Sequence, residues 1–168
     1  MDLTEELISG MVKEVTGSNQ TVLHREDNGT KYDINWERPW QRIPMIPTLE
    51  KITGEKFPPA DQLDTEEASQ FLEQLLEKMK IECPAPRTNS RMIDKLVGDL
   101  IEPTCVNPTF IIGHPQIMSP LAKPDRNTPG LCERFEMFAA TKELVRLKSY
   151  AFHFSSADGL GQCIYRVE

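Results

Sequence analysis

The chain has 168 residues, 39% hydrophobic and 27% charged, and its 26 acidic against 19 basic side chains leave a net charge of -7. That length suits one ordinary domain, and the balance excludes a collagen, a mucin-like stalk and a fully disordered tail. The acidic surplus repels a phosphate backbone, and no run approaches the roughly 18 apolar residues of a membrane span.

At the N-terminus, Asp2, Glu5 and Glu6 stand where a secretory leader needs basic residues, so no leader is expected. Apolar Leu3, Leu7, Ile8, Met11, Val12 and Val15 then predict an amphipathic helix over residues 2–16, with Asp2 and Glu5 as a capping box and Gly17 as its stop. Residues 21–24 and 31–36 read as two strands around the turn-prone Asp27-Asn28-Gly29, hence a hairpin. The proline-rich stretch 38–59 reads as a connector with a short helix near residues 49–53. Asp64 and Glu67 predict the start of a second long helix whose apolar face is Ala68, Phe71, Leu72, Leu75, Leu76 and Met79. A third follows Pro84-Ala85-Pro86, with Met92, Ile93, Leu96, Val97, Leu100 and Ile101 on one side, and stops before Pro103. Residues 107–113 (NPTFIIG) predict a buried strand, 115–130 a loop, and 134–138 an alternating strand. Beyond Glu143 the pattern weakens. The sum is an α+β chain.

Several residues could carry chemistry. Cys83, Cys105, Cys132 and Cys163 show no CxxC pair and no zinc-finger spacing; an even count allows two disulfides, but without a leader reduced thiols are expected. His24, His114 and His153 share no ligand spacing, and His114 before Pro115 reads as a satisfied structural histidine. Arg87, Arg91 and Lys95 form a weak basic cluster, most simply a solvated helix side. Glu136 and Glu143 stand out. If the chain turned at Ala139-Ala140 the two would face each other across a hairpin, a repulsive pairing unless a divalent cation neutralises it. Pattern alone favours the simpler alternative of two solvated carboxylates, because Ala-Ala is a weak turn signal.

Residues 87–123 (RTNSRMIDKLVGDLIEPTCVNPTFIIGHPQIMSPLAK) and 130–143 (GLCERFEMFAATKE) closely resemble class II lysyl-tRNA synthetase. LTEELISGMVKEVTGS is similar to the helix after that family's second signature motif. YDINWERPWQRIPMIPTLEKITG and ECPAPRT also have counterparts there. The HPQIMSPLAK wording points to the lysine enzyme rather than its aspartate and asparagine relatives. The resemblance covers residues 1–143 and implies part of a six-to-seven-stranded antiparallel sheet with flanking helices. It implies activation of lysine with ATP to lysyl-adenylate and transfer to tRNA-Lys in the cytoplasm. It also implies that Glu136 and Glu143 are the ATP and Mg²⁺ ligands, since Mg²⁺ bridging carboxylates and phosphates stabilises a pyrophosphate leaving group. The same resemblance places motif 1, with the homodimer interface, motif 2, the anticodon-binding barrel and motif 3 outside these residues. The chain therefore reads as an interior fragment, expected to be inactive alone.

Residues 144–168 depart from the family. Arg146, Lys148 and Tyr150 replace an asparagine, a tyrosine and a glutamate of its lysine-binding run. Two cations then stand where a cationic substrate would bind. An alternative exon, a retained intron or a gene-model error would each give such a tail. A truncated splice product acting as a non-catalytic protein-binding module is the alternative function.

Overall fold

The computed structural model describes residues 1–20, 22–25, 29–149 and 165–167, and they form the expected mixture of helices and strands. Helix α1 (Asp2–Thr16) precedes a hairpin of β1 (Val22–Arg25) and β2 (Lys31–Ile34), paired antiparallel from Val22↔Ile34 to Arg25↔Lys31. Strand β3 (Gln41–Pro44) leads directly into α2 (Met45–Thr53), followed by α3 (Glu66–Met79) and α4 (Asn89–Leu100). Strands β4 (Thr109–Pro115), β5 (Leu131–Ala139), β6 (Lys142–Ser149) and β7 (Tyr165–Val167) complete a five-stranded sheet of order β3-β4-β5-β6-β7. Residues 144–149 thus continue as strand where the sequence pattern weakens.

The sheet is antiparallel except at one edge. β3, read from sequence as connector, pairs parallel with β4, from Gln41↔Thr109 to Pro44↔Ile112. A parallel neighbour needs a long crossover, and α2, α3 and α4 supply it.

Alternation along the central strands sends successive side chains to opposite faces. Ile111 and Phe138 enter one core with Met45, Leu49, Leu72, Leu75, Met92, Ile93 and Leu96 of α2, α3 and α4. Phe110 and Met137 enter a second core with Ile34, Trp36 and Trp40, against which Ile8 and Val12 of α1 pack. Trp40 and Phe135 lie 5.7 and 5.1 Å from Phe110, ring centre to ring centre. Full burial of side chains such as Phe110, Leu49 and Leu72 stabilises by about 1.5–3 kcal/mol each.

The helices differ from expectation in their caps and in one orientation. Thr65, not Asp64, caps α3: its hydroxyl accepts from the Ala68 N–H at 3.2 Å. Thr88 caps α4 through the Arg91 N–H at 3.3 Å. In α1 no side chain caps the first turn; Asp2 and Glu5 instead pair with Arg42 of β3. The predicted stripe of α1 is split. Ile8 and Val12 pack inward with buried Glu5 and Ser9, whereas Leu3, Leu7, Met11 and Val15 are exposed. The Ser9 hydroxyl donates to the Trp36 carbonyl at 3.0 Å, which anchors the helix through a polar contact. Cys83, Cys105 and Cys132 are buried, while Cys163 lies outside the described residues.

Candidate functional site

Two irregularities of the sheet gather charged residues on the face that meets α2, α3 and α4. The β4–β5 register shifts between Ile112 and His114 at Gly113, whose φ of 71° is left-handed. A bulge of this kind rotates the following side chain to the other face. His114 therefore pairs with Cys132 and shares the face of Arg134, Glu136 and Phe138 instead of that of Phe110 and Ile112. The β5–β6 register shifts in the same way between Met137 and Phe138, leaving Leu144 as the extra residue. Glu143 pairs with Phe138 and Arg146 with Glu136, so these β6 residues lie on one face although three positions apart. Val145 falls on the opposite face and packs into the second core.

The hairpin turn lies at Ala140-Thr141, one residue later than the predicted Ala139-Ala140, with φ of 52° and 63°. Glu136 consequently stands opposite Arg146 and not opposite Glu143. The two glutamates still share a face, because Glu143 pairs with Phe138, two positions from Glu136, and the extra residue Leu144 then brings Arg146 to the same side.

Arg146 joins them. Its Nε and Nη2 donate to Glu143 Oε1 and Oε2 at 2.7 and 2.8 Å, a forked pair. The same Nε lies 3.2 Å from Glu136 Oε1. Arg134, 8% exposed, donates through Nη2 to Glu136 Oε1 and through Nη1 to the Ser119 hydroxyl. Burial, then the nearby Arg146 charge, pushes the Arg134 guanidinium below its ordinary pKa, although it stays cationic. Glu102 borders the group; burial, then Asp94 and Glu143, pushes its carboxyl up.

His114 is fully buried, and its Nε2 lies 3.2 Å from Glu136 Oε2. Neither ring nitrogen makes a well-angled hydrogen bond among the described residues, which corrects the expectation of a satisfied histidine. Burial, followed by the charge of Arg134, lowers its pKa to about 3, so the imidazole is neutral. Sequence reasoning did not assign Arg134 to this group. The signal was the alternation R134-F135-E136, which puts both charged residues on one face of a strand.

The pair has the hard oxygen donors that suit Mg²⁺. As placed, however, it does not fit a divalent cation: one guanidinium already contacts both carboxylates, and no cluster of three His, Cys, Asp or Glu able to hold a metal occurs among the described residues. Lys148 stands opposite Arg134 in the β5–β6 ladder, and Tyr150 lies outside the described residues. The basic cluster is separate. Arg87, Arg91 and Lys95 line an open cavity of about 730 Å³ together with Glu82 and Asp94, and Lys95 is paired with Asp99 at 2.9 Å.

A family model of class II tRNA synthetases (D, K and N) matches residues 1–148. A lysine–tRNA ligase of Cladosporium cladosporioides is 59% identical over 145 residues, covering 86% of this chain and 24% of that protein. The protein of Encephalitozoon cuniculi named probable lysine–tRNA ligase, cytoplasmic, is 42% identical over 147 residues, covering 86% and 29%. A lysine–tRNA ligase of Saccharolobus solfataricus is 42% identical over 149 residues, covering 86% and 27%. The chain thus spans about a quarter of the length of the curated relatives it matches. No described helix is long and apolar enough to cross a membrane. The family match over residues 1–148, together with these lysine–tRNA ligase relatives, shows that the chain belongs to the class II tRNA synthetases of the D, K and N type.

Proposed function

We propose that residues 1–143 are the part of a lysine–tRNA ligase catalytic domain that presents the acidic pair Glu136 and Glu143 toward ATP. The whole enzyme would activate lysine with ATP and transfer it to tRNA-Lys, in the cytoplasm and as a homodimer. The observation that carries the reading is the convergence of Glu136 and Glu143 on one sheet face, set by the two-residue turn that pairs Glu143 with Phe138, two positions along β5 from Glu136. The chemistry asked of such a pair is neutralisation of phosphate charge through a bridging Mg²⁺. With Arg146 between the carboxylates that chemistry has no place, and the 168 residues alone are inactive.

What this chain's own residues do is hold the pair in register. Arg134, fixed by Ser119, keeps Glu136 extended from β5, and the Ala140-Thr141 turn sets how far β6 carries Glu143 along it. Preorganised charge of this kind lowers the cost of reorganisation during reaction.

The test is a graft. Residues 1–143 replace the matching stretch of the Cladosporium lysine–tRNA ligase, and lysine-dependent ATP–pyrophosphate exchange is measured with Mg²⁺. The graft is expected to exchange, and Glu136→Gln within it to lose about 100-fold or more. A folded graft without exchange sinks the proposal, as does exchange by the 168-residue chain on its own.

A further inference from the structure

We propose that Arg146 is a built-in counter-ion of the acidic pair, and that this chain excludes divalent cations from Glu136 and Glu143 for as long as that guanidinium is present. The inference concerns which cation the two carboxylates hold; it deepens the ligase reading and rests on its acidic pair, while metal binding by the 168-residue chain is read independently of exchange by the graft.

Three observations carry it. First, the guanidinium spans the gap: its fork takes both oxygens of Glu143, and its Nε lies within 3.2 Å of Glu136. A Mg²⁺ ion demands carboxylate oxygens at about 2.0–2.1 Å in octahedral array, so it cannot share these oxygens with an arginine fork. Second, the plug is tethered. Arg146 pairs with Glu136 across the β5–β6 ladder, so it competes with a dissolved ion as an intramolecular ligand at high effective concentration. Arginine also stays protonated at every pH compatible with folding, which leaves no pH at which the plug discharges.

Third, the fully buried His114 ring lies with Nε2 3.2 Å from Glu136 Oε2, so that oxygen is closed off by protein on its inner side and Arg146 covers the approach to Oε1. Arg146 is itself 42% exposed, so its removal opens the pair to solvent without leaving a hole in the core.

Manganese serves as the probe, because free Mn²⁺ is counted directly by electron paramagnetic resonance. The 168-residue chain is expected to leave Mn²⁺ free at equimolar, submillimolar concentrations. Arg146→Ala is expected to bind one Mn²⁺ per chain at least tenfold more tightly, and Glu143→Gln added to that variant to abolish the gain. Should Arg146→Ala fail to fold, Arg146→Gln, neutral but of similar bulk, carries the same expectation. Saturable Mn²⁺ binding by the unaltered chain that Glu143→Gln removes would overturn the proposal. So would a folded Arg146 variant that gains nothing.

Discussion

Thr141 sits at φ 63° in the second position of the β5–β6 turn, a left-handed conformation that is a genuine outlier for a β-branched residue. Placing an L side chain there costs about 1–2 kcal/mol, and glycine removes that cost. Against this, glycine loosens the unfolded chain by about 0.4–1 kcal/mol. Thr141→Gly is therefore expected to stabilise by about 0.5–1 kcal/mol, raising Tm by about 1–4 °C for a chain of this length. The Thr141 backbone N–H, which donates to the Cys105 carbonyl at 3.0 Å, is kept by the substitution. Ala140, at φ 52°, makes the control: it is 5% exposed and belongs to the second core, so Ala140→Gly forfeits a buried methyl. That loss, about 0.8 kcal/mol, offsets the relief and leaves the net change near zero. Urea unfolding followed by circular dichroism under reducing conditions measures both, provided the slope m is unchanged. If Thr141→Gly is no more stable than the unaltered chain, or Ala140→Gly gains more, the turn is not strained as described.

Gly130, at φ 79°, brings its backbone so close to Ala60 and Asp61 that an added Cβ would lie 2.1 Å from the Asp61 nitrogen. Overlap with main chain plus the left-handed conformation makes Gly130→Ala cost about 2–4 kcal/mol, read as a lower urea midpoint; an unchanged midpoint refutes the contact. The neutral burial of His114 makes stability depend on pH. With a folded pKa of about 3 against 6.5 when exposed, the unfolded chain binds the extra proton between those values. Stability from this group is complete above pH 6.5 and declines as pH falls toward 3, by up to about 1.4 kcal/mol per unit. His114→Gln should flatten the decline between pH 6.5 and 4.5; a decline as steep in the variant assigns it elsewhere.

Much of the fold was legible because periodicity reports burial. Met92, Ile93, Leu96 and Val97 are buried on α4 as their spacing predicts, and β1 and β2 pair antiparallel as the hairpin reading expects. Strand β3 was not, since QRIP is too short and too polar to show a period, and its pairing with β4 comes from tertiary packing. α1 shows the opposite failure. Its apolar stripe is real, yet the burial of Ser9 against the Trp36 carbonyl and of Glu5 beside Arg42 orients the helix, and a hydropathy pattern counts neither contact. The site was half visible. Glu136 and Glu143 could be named from the resemblance, but a bulge is a matter of register, and a single sequence does not reveal that Leu144 is the unpaired residue. In hindsight, the adjacent apolar pair Leu144-Val145 marks where alternation breaks, and Val145 and Leu147 then alternate with Arg146 and Lys148.

The pairing of Gln41 with Thr109 bears on the order in which the molecule assembles. β5 and β6 are joined by two residues, so their hairpin closes at small entropic cost and within microseconds. β3 cannot meet β4 until the whole helical layer between them has condensed, because that layer is the loop being closed. The acidic face is thus built from the strands that form earliest, and the parallel edge is added last. Amide exchange should show this gradient, with β3 opening at lower free energy than β5.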